Sequence, residues 1–161
     1  MKLPLLRPEE LLRAAADLAV RGGTQAHLRR SVSTSYYALF HWLAICCADM
    51  LVGTDKVPRS ARAWRHVYRR LEHGKVRNRC DQLKGDSRGF PASILKFAEQ
   101  FVTLQEKREL ADYDPYVEIL KTEALAHVQL AIVAIQGVRR TRVKDRRAFA
   151  VWVLFDRPRG G

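Results

Sequence analysis

The sequence predicts an all-α fold, and three observations predict it. Apolar residues recur at i, i+3, i+4 and i+7 in five separate segments. Gly and Pro residues punctuate the chain between those segments. Only one short stretch, near the C-terminus, reads as strand. The architecture these imply is an up-down bundle of four to five helices with a basic C-terminal extension of partly strand-like character. A chain of 161 residues suits one helical domain, residues 1–138, followed by a tail, 139–161.

Each element has local reasons. Pro8-Glu9-Glu10 opens the first helix, because proline fits the first turn and acids suit the positive end of the dipole. Leu11, Leu12, Ala15, Leu18 and Ala19 form its stripe, and Gly22-Gly23 ends it. Thr24 caps a second helix running to about Met50, with Tyr36, Leu39, Phe40 and Leu43 on one face. Ser31, Ser33, Thr34 and Ser35 are small and let a neighbouring helix come close. Gly53 breaks the pattern. Pro58 and Ser60 introduce a third helix, roughly Ala61 to His73, which Gly74 stops. Residues 74–90 hold three glycines and few apolar positions, and read as a basic loop.

Pro91 opens a fourth helix, through about Asp112, with Ile94, Phe97 and Phe101 on a wide apolar face. Pro115 separates it from a fifth, about Val117 to Val138. A charge run from Arg139 to Arg147 follows, then the apolar run Ala148–Phe155, which has strand length. A lone strand is not stable, so this run must pack on the helices, pair with another chain or stay disordered.

The charge is unevenly placed. Lys and Arg number 29 against 17 Asp and Glu, a net of +12. Residues 56–90 carry 11 Lys+Arg against 3 Asp+Glu, a net of +8, and residues 139–161 carry 8 against 2, a net of +6. Such blocks favour an anionic partner: nucleic acid, an acidic protein or a membrane surface. A hydrophobic share of 47% excludes a chain disordered throughout. Contact of the tail with an anionic membrane is set aside because Ala148–Phe155 reads as strand more than as amphipathic helix. The most apolar stretch, Tyr36 to Ala48, is interrupted by His41 and is too short to span a bilayer. Of three cysteines two are adjacent, Cys46 and Cys47, and there is no CxxC; this fits a reduced, cytoplasmic setting. No cofactor motif is evident, and no His/Asp/Glu cluster has metal-ligand spacing.

Two segments carry the functional signal. The first is Arg29-Arg30-Ser31-Val32-Ser33-Thr34-Ser35-Tyr36-Tyr37-Ala38-Leu39-Phe40-His41. The second is Arg108-Glu109-Leu110-Ala111-Asp112-Tyr113-Asp114-Pro115. In this order the pair resembles the HEPN superfamily, above all its small stand-alone bacterial and archaeal proteins, over roughly residues 8–138. The resemblance implies a helical bundle that forms a homodimer. It implies metal-independent RNA cleavage in toxin–antitoxin and other defence systems, or partnership with a minimal nucleotidyltransferase. Active members carry Arg, four to six residues, then His, and two such sites meet across the dimer. Here Arg108 is followed by Glu-Leu-Ala-Asp and then Tyr113, so the motif is Arg-x4-Tyr.

That difference matters chemically. Cleaving RNA without a metal needs a base for the 2′-OH and an acid for the leaving oxygen. Histidine titrates near neutral pH, whereas tyrosine ordinarily ionises near 10. Arg108 reads as the phosphate holder, a fixed fork of donors. Asp112 is a base only if burial raises its pKa, and Tyr113 is a donor. His41, four residues from Tyr37, is the candidate for the missing imidazole. The plainer reading pairs Arg108 with Asp112 as an i, i+4 ion pair and leaves His41 half-buried against a tyrosine or the backbone. His73 and His127 read as ordinary helix residues, and Arg59 with His66 as a chance spacing in an Arg-rich helix.

Arg62, Arg65, Arg69, Arg70, Lys75, Arg77 and Arg79 are the candidate contacts to an RNA backbone. The spacing of Trp64 and Tyr68 turns them toward the core. Two functions follow. One is an RNA-binding or RNA-cleaving protein. The alternative is a non-catalytic dimeric module that binds a nucleotidyltransferase or another protein, with Tyr113 as a modification acceptor.

Overall fold

The computed structural model describes residues 5–156, and all regular structure among them is helical. Seven helices follow one another: α1 Pro8–Arg21, α2 Gln25–Val52, α3 Ala61–Tyr68, α4 His73–Gln82, α5 Ala92–Tyr113, α6 Lys121–Arg139 and α7 Val143–Leu154. The central element is α2, which touches α1, α3, α5, α6 and α7.

The turn between α1 and α2 is set by steric fit. Thr24 accepts a hydrogen bond from the backbone N–H of His27, and Gly22 closes α1 by donating to the Leu18 carbonyl at 3.0 Å. A Cβ on Gly22 would lie 2.2 Å from His27 Cβ, so no larger residue fits there. The small residues of α2 behave as their size suggests. Ser31, Ser33 and Ser35 are fully buried. The Ser31 hydroxyl donates to the Ala15 carbonyl of α1 at 2.7 Å.

Among the described residues α2 is also the one helix long and apolar enough to cross a membrane by length and composition. The stretch Tyr36–Ala48 is too short by itself to span a bilayer, but it lies within a 28-residue helix, Gln25–Val52, that is long enough. Most of its large apolar side chains, Tyr36, Leu39, Trp42 and Leu43 among them, lie in the protein core, while Leu51 is exposed.

Residues 61–90 differ from expectation. A single helix was predicted to His73, followed by a loop. Instead α3 ends at Tyr68, the Arg70 N–H turns back to the Val67 carbonyl at 2.9 Å, and α4 begins at His73. Burial explains the break. Leu71 is buried, and so are Val76, Cys80 and Leu83, whose spacing makes a narrow helical stripe. One continuous helix would not bring Leu71 and that stripe onto the same core. Gly74 therefore sits inside the first turn of α4 rather than ending α3.

The C-terminal run is likewise a helix, α7, and not a strand. Phe149, Ala150, Val153 and Leu154 are buried at helical spacing. The Phe149 ring meets Phe90 at 5.9 Å and Phe97 at 6.0 Å, both edge-on. With no strand among the described residues to pair with, the backbone satisfies its hydrogen bonds internally. The main core thus continues past residue 138 into α7. The ground on which a membrane contact was set aside falls with the strand; the apolar face in question faces this core.

A smaller apolar cluster lies apart from the main core: Ala19, Leu28, Val32, Ala111, Ile119 and Ala124. Here residues 115–120 run outside any helix, and α6 starts later than predicted, at Lys121. The Gln25 side chain explains it. Its amide donates to the Ile119 carbonyl at 2.9 Å and accepts from the Ile119 N–H at 2.8 Å, replacing the helical partners.

Candidate functional site

The site forms where α2, α4 and α5 meet. From α5, Arg108 reaches over two aromatic rings of α2, its guanidinium carbon 5.1 Å from the centre of Tyr36 and 5.9 Å from that of Tyr37. Such stacking offers a cation the electron-rich ring face. Only 12% of the Arg108 side chain is exposed, and its buried Nε has no hydrogen-bond partner among the described residues. Its one acidic neighbour within ion-pair range among the described residues is Asp112, at 3.8 Å, the predicted i, i+4 pair at the long end of the range. Asp112 also accepts from the Ser33 hydroxyl of α2, a contact that the sequence did not suggest.

The end of α5 is strapped down. Arg29 on α2 donates to the carbonyls of Ala111 (3.3 Å), Asp114 (2.5 Å), Pro115 (3.1 Å) and Val117 (2.6 Å). One guanidinium thus satisfies carbonyls at the C-terminus of α5 and beyond it, groups that a helix end otherwise leaves open. The first arginine of the first motif therefore holds the segment that carries the second motif.

His73 is the residue the sequence passed over. The first residue of α4, it packs its ring flat on Phe40, 3.8 Å between centres, and edge-on against Tyr37. Its Nδ1 lies 2.6 Å from the Tyr36 hydroxyl. The Gln105 side chain of α5 donates to the His73 carbonyl at 3.5 Å. Burial holds the His73 pKa below the usual histidine value, and the Arg108 charge and His41 add to that. The same burial pushes the Tyr36 hydroxyl well above the usual tyrosine range, although Arg108 opposes it.

The predicted candidates divide. Arg108, Asp112 and Tyr37 come together. Tyr113 sits on the rim, 75% exposed. His41 is engaged with a third helix: its Nδ1 is hydrogen-bonded to the Tyr68 hydroxyl of α3, and burial lowers its pKa. This is the plainer of its two readings, a half-buried histidine against a tyrosine. In front of Arg108 an open groove is lined by Arg77, Glu106, Glu109, Leu110, Tyr113 and Asp114.

The predicted RNA contacts divide too. On and just after α3, Arg62, Arg65 and Arg69 are exposed and line one shallow depression with His66, and Arg70 is exposed beside them. Lys75 pairs with Asp156 at 3.2 Å, and Arg77 with Glu106 at 2.8 Å at the groove. Arg79 is not a surface residue. It is buried, donates to the carbonyls of Trp152 (2.7 Å) and Phe155 (3.2 Å), and lies 3.8 Å over the Trp152 ring. Its role is to close the C-terminal end of α7, and it is withdrawn from the RNA contacts. Trp64 is buried, as its spacing predicted, and donates to Asp49 at 2.8 Å.

No signal of sequence spacing points to His73, because its partners come from another helix. Tyr36 and Phe40 were visible only as core residues of the α2 stripe. No family model, no curated protein and no solved structure matches the chain.

Proposed function

We propose that this chain is a HEPN-like, cytoplasmic RNA-binding protein of a toxin–antitoxin or other defence system, working as a homodimer. In this reading the long helices α1, α2, α5 and α6 are the up-down bundle of that superfamily. The observation that carries it is Arg108. Its guanidinium is stacked on Tyr36 and Tyr37 at the wall of an open groove and meets its carboxylate only at 3.8 Å. A planar cation held this way is preset to take a phosphate without first ordering a long side chain. The exposed arginines of α3 add charge along the surface.

Binding fits this site better than cleavage does. On α5 the position four residues beyond the motif arginine holds an exposed tyrosine, and His41 is engaged with Tyr68. The test is a fluorescence-anisotropy titration of single-stranded RNA across a salt series. Affinity is expected to fall log-linearly with salt, and Arg108→Ala to weaken binding and flatten the slope by about one. Binding that is absent, or indifferent to salt and to Arg108→Ala, overturns the reading.

A second reading rests on a different observation. Leu110, Tyr113, Tyr116 and Leu120 are all exposed between the last turn of α5 and the start of α6. This favours an interaction module whose partner is a minimal nucleotidyltransferase, with Tyr113 as its acceptor. Mass spectrometry of Tyr113 after co-expression with such an enzyme checks it: an added nucleotide supports the module, an unmodified tyrosine removes it.

A further inference from the structure

Near Arg108, behind the residues that line the groove, stands a second donor that the Arg-x4-Tyr motif does not contain. His73 and Arg108 flank the same two tyrosine rings. The His73 ring lies 5.6 Å from that of Tyr36 and 6.1 Å from that of Tyr37, and the Arg108 guanidinium lies 5.1 Å and 5.9 Å from them. The two are close enough for the guanidinium to act on the imidazole electrostatically.

The tautomer of His73 follows from its neighbour. The Tyr36 side chain is fully buried, and His73 Nδ1, at 2.6 Å, is the one hydrogen-bond partner of its hydroxyl among the described residues. A buried hydroxyl must place its hydrogen on an acceptor. Tyr36 therefore donates to Nδ1, and the proton of the neutral imidazole sits on Nε2. That Nε2–H has no hydrogen-bond partner among the described residues, while stacking on Phe40 and the hydrogen bond to Tyr36 lock the ring in place.

We infer that His73 and Arg108 together form a phosphodiester-binding pair, Arg108 supplying the charge and the Nε2–H of His73 a directed hydrogen bond to a phosphate oxygen. The inference rests on the RNA reading above and names the second residue of that site. It also accounts for the missing motif histidine: an imidazole reaches the arginine from α4 instead of from α5. Arg77, one turn further along α4, lines the groove in front of Arg108.

A bound phosphate reverses the electrostatics at His73. In the free protein the groups facing it are Tyr36, Tyr37 and His41 from α2, and Arg108 with Glu109 near Tyr36 on α5. Adding an anion favours the imidazolium, so RNA raises the His73 titration midpoint. By linkage, affinity then rises as pH falls through the histidine range.

The experiment combines two readouts on the full chain. The first follows the side-chain nitrogen resonances of His73 by NMR during a pH titration, with and without a single-stranded uridine oligonucleotide. The second measures affinity of that oligonucleotide for wild type, Arg108→Ala, His73→Ala and His73→Gln. RNA is expected to move the His73 resonances and raise their midpoint. His73→Ala is expected to weaken binding by roughly tenfold, the scale of one hydrogen bond to a charged group. His73→Gln, which keeps a donor, is expected to lose less. If Arg108→Ala weakens binding while both His73 variants bind like wild type and the resonances stay put, the pair is overturned and the Arg108 reading stands. If the wild type binds no RNA, both fall. Should His73→Ala fail to fold, the wild-type resonances alone decide.

Discussion

Arg79 and Trp152 hold each other through both backbone and side chain. The Arg79 guanidinium donates to the Trp152 carbonyl at 2.7 Å, the Trp152 indole donates to the Arg79 carbonyl at 2.9 Å, and the guanidinium lies 3.8 Å over the indole ring. This reciprocal contact ties α7 to α4, the helix that begins with His73. Arg79→Ala is expected to cost about 2–4 kcal/mol, from lost charge-assisted hydrogen bonds and a shielded cation–π contact. Urea denaturation measures it. The salt slope of RNA binding should not change, since the guanidinium is already committed to the protein.

Phe149 carries the attachment of the C-terminal helix. It is fully buried against Phe90 and Phe97. Phe149→Ala is expected to destabilise the fold by about 3–5 kcal/mol, read as a lower denaturation midpoint. Cutting the chain after residue 138 should expose the same core surface and lower the midpoint at least as far. A truncated chain as stable as the full one would mean that α7 contributes nothing.

Gly22 and Gly23 make a matched pair for testing the α1–α2 turn. A Cβ on Gly22 meets the His27 side chain and the Leu18 carbonyl at under 2.5 Å, whereas one on Gly23 meets nothing within 4 Å. Gly22→Ala is expected to cost about 1–3 kcal/mol through overpacking. Gly23→Ala should stay within about 0.5 kcal/mol of wild type, as exposed substitutions do. Thermal melts of both variants give the comparison.

Acid should weaken the fold in a defined window. His41, His73 and His127 all have pKa values held below the usual 6.5, burial being the first cause in each. The unfolded chain therefore binds protons at these sites before the folded chain does. Their contribution is fully present above about pH 6.5 and is lost as pH falls through that value toward the folded-state pKa values. Urea midpoints measured from neutral pH down to about pH 5 should decline. His73→Gln should show a shallower decline, because one of the three groups no longer titrates.

Much of this molecule was legible one helix at a time. The starts of α1, α2, α3 and α5 follow from Pro8, Thr24, Ser60 and Pro91, because caps and first-turn residues act over a few positions. The Arg108–Asp112 pair was visible for the same reason, as a contact between successive turns. The break at residues 69–72 was not, because nothing local stops α3. Burial of Leu71 together with Val76 and Cys80 does that. Nor was α7, whose apolar run satisfies both periods until the Phe90–Phe97 surface selects the helical one.

The sequence by itself determined that the chain is helical, that its charge is concentrated in two segments, and that Arg108 faces Asp112. Only the tertiary structure decided which imidazole stands beside that arginine. His41 shares a helix with Tyr37, yet its ring is taken by Tyr68. His73 lies 37 residues from Tyr36 in the chain and meets it at 2.6 Å. The physical reason is range. Periodicity reports which face a residue occupies, but a site built from three helices depends on how those faces are brought together. Here the core contacts of Leu71, Val76 and Cys80 set the position of α4, and with it the place of His73.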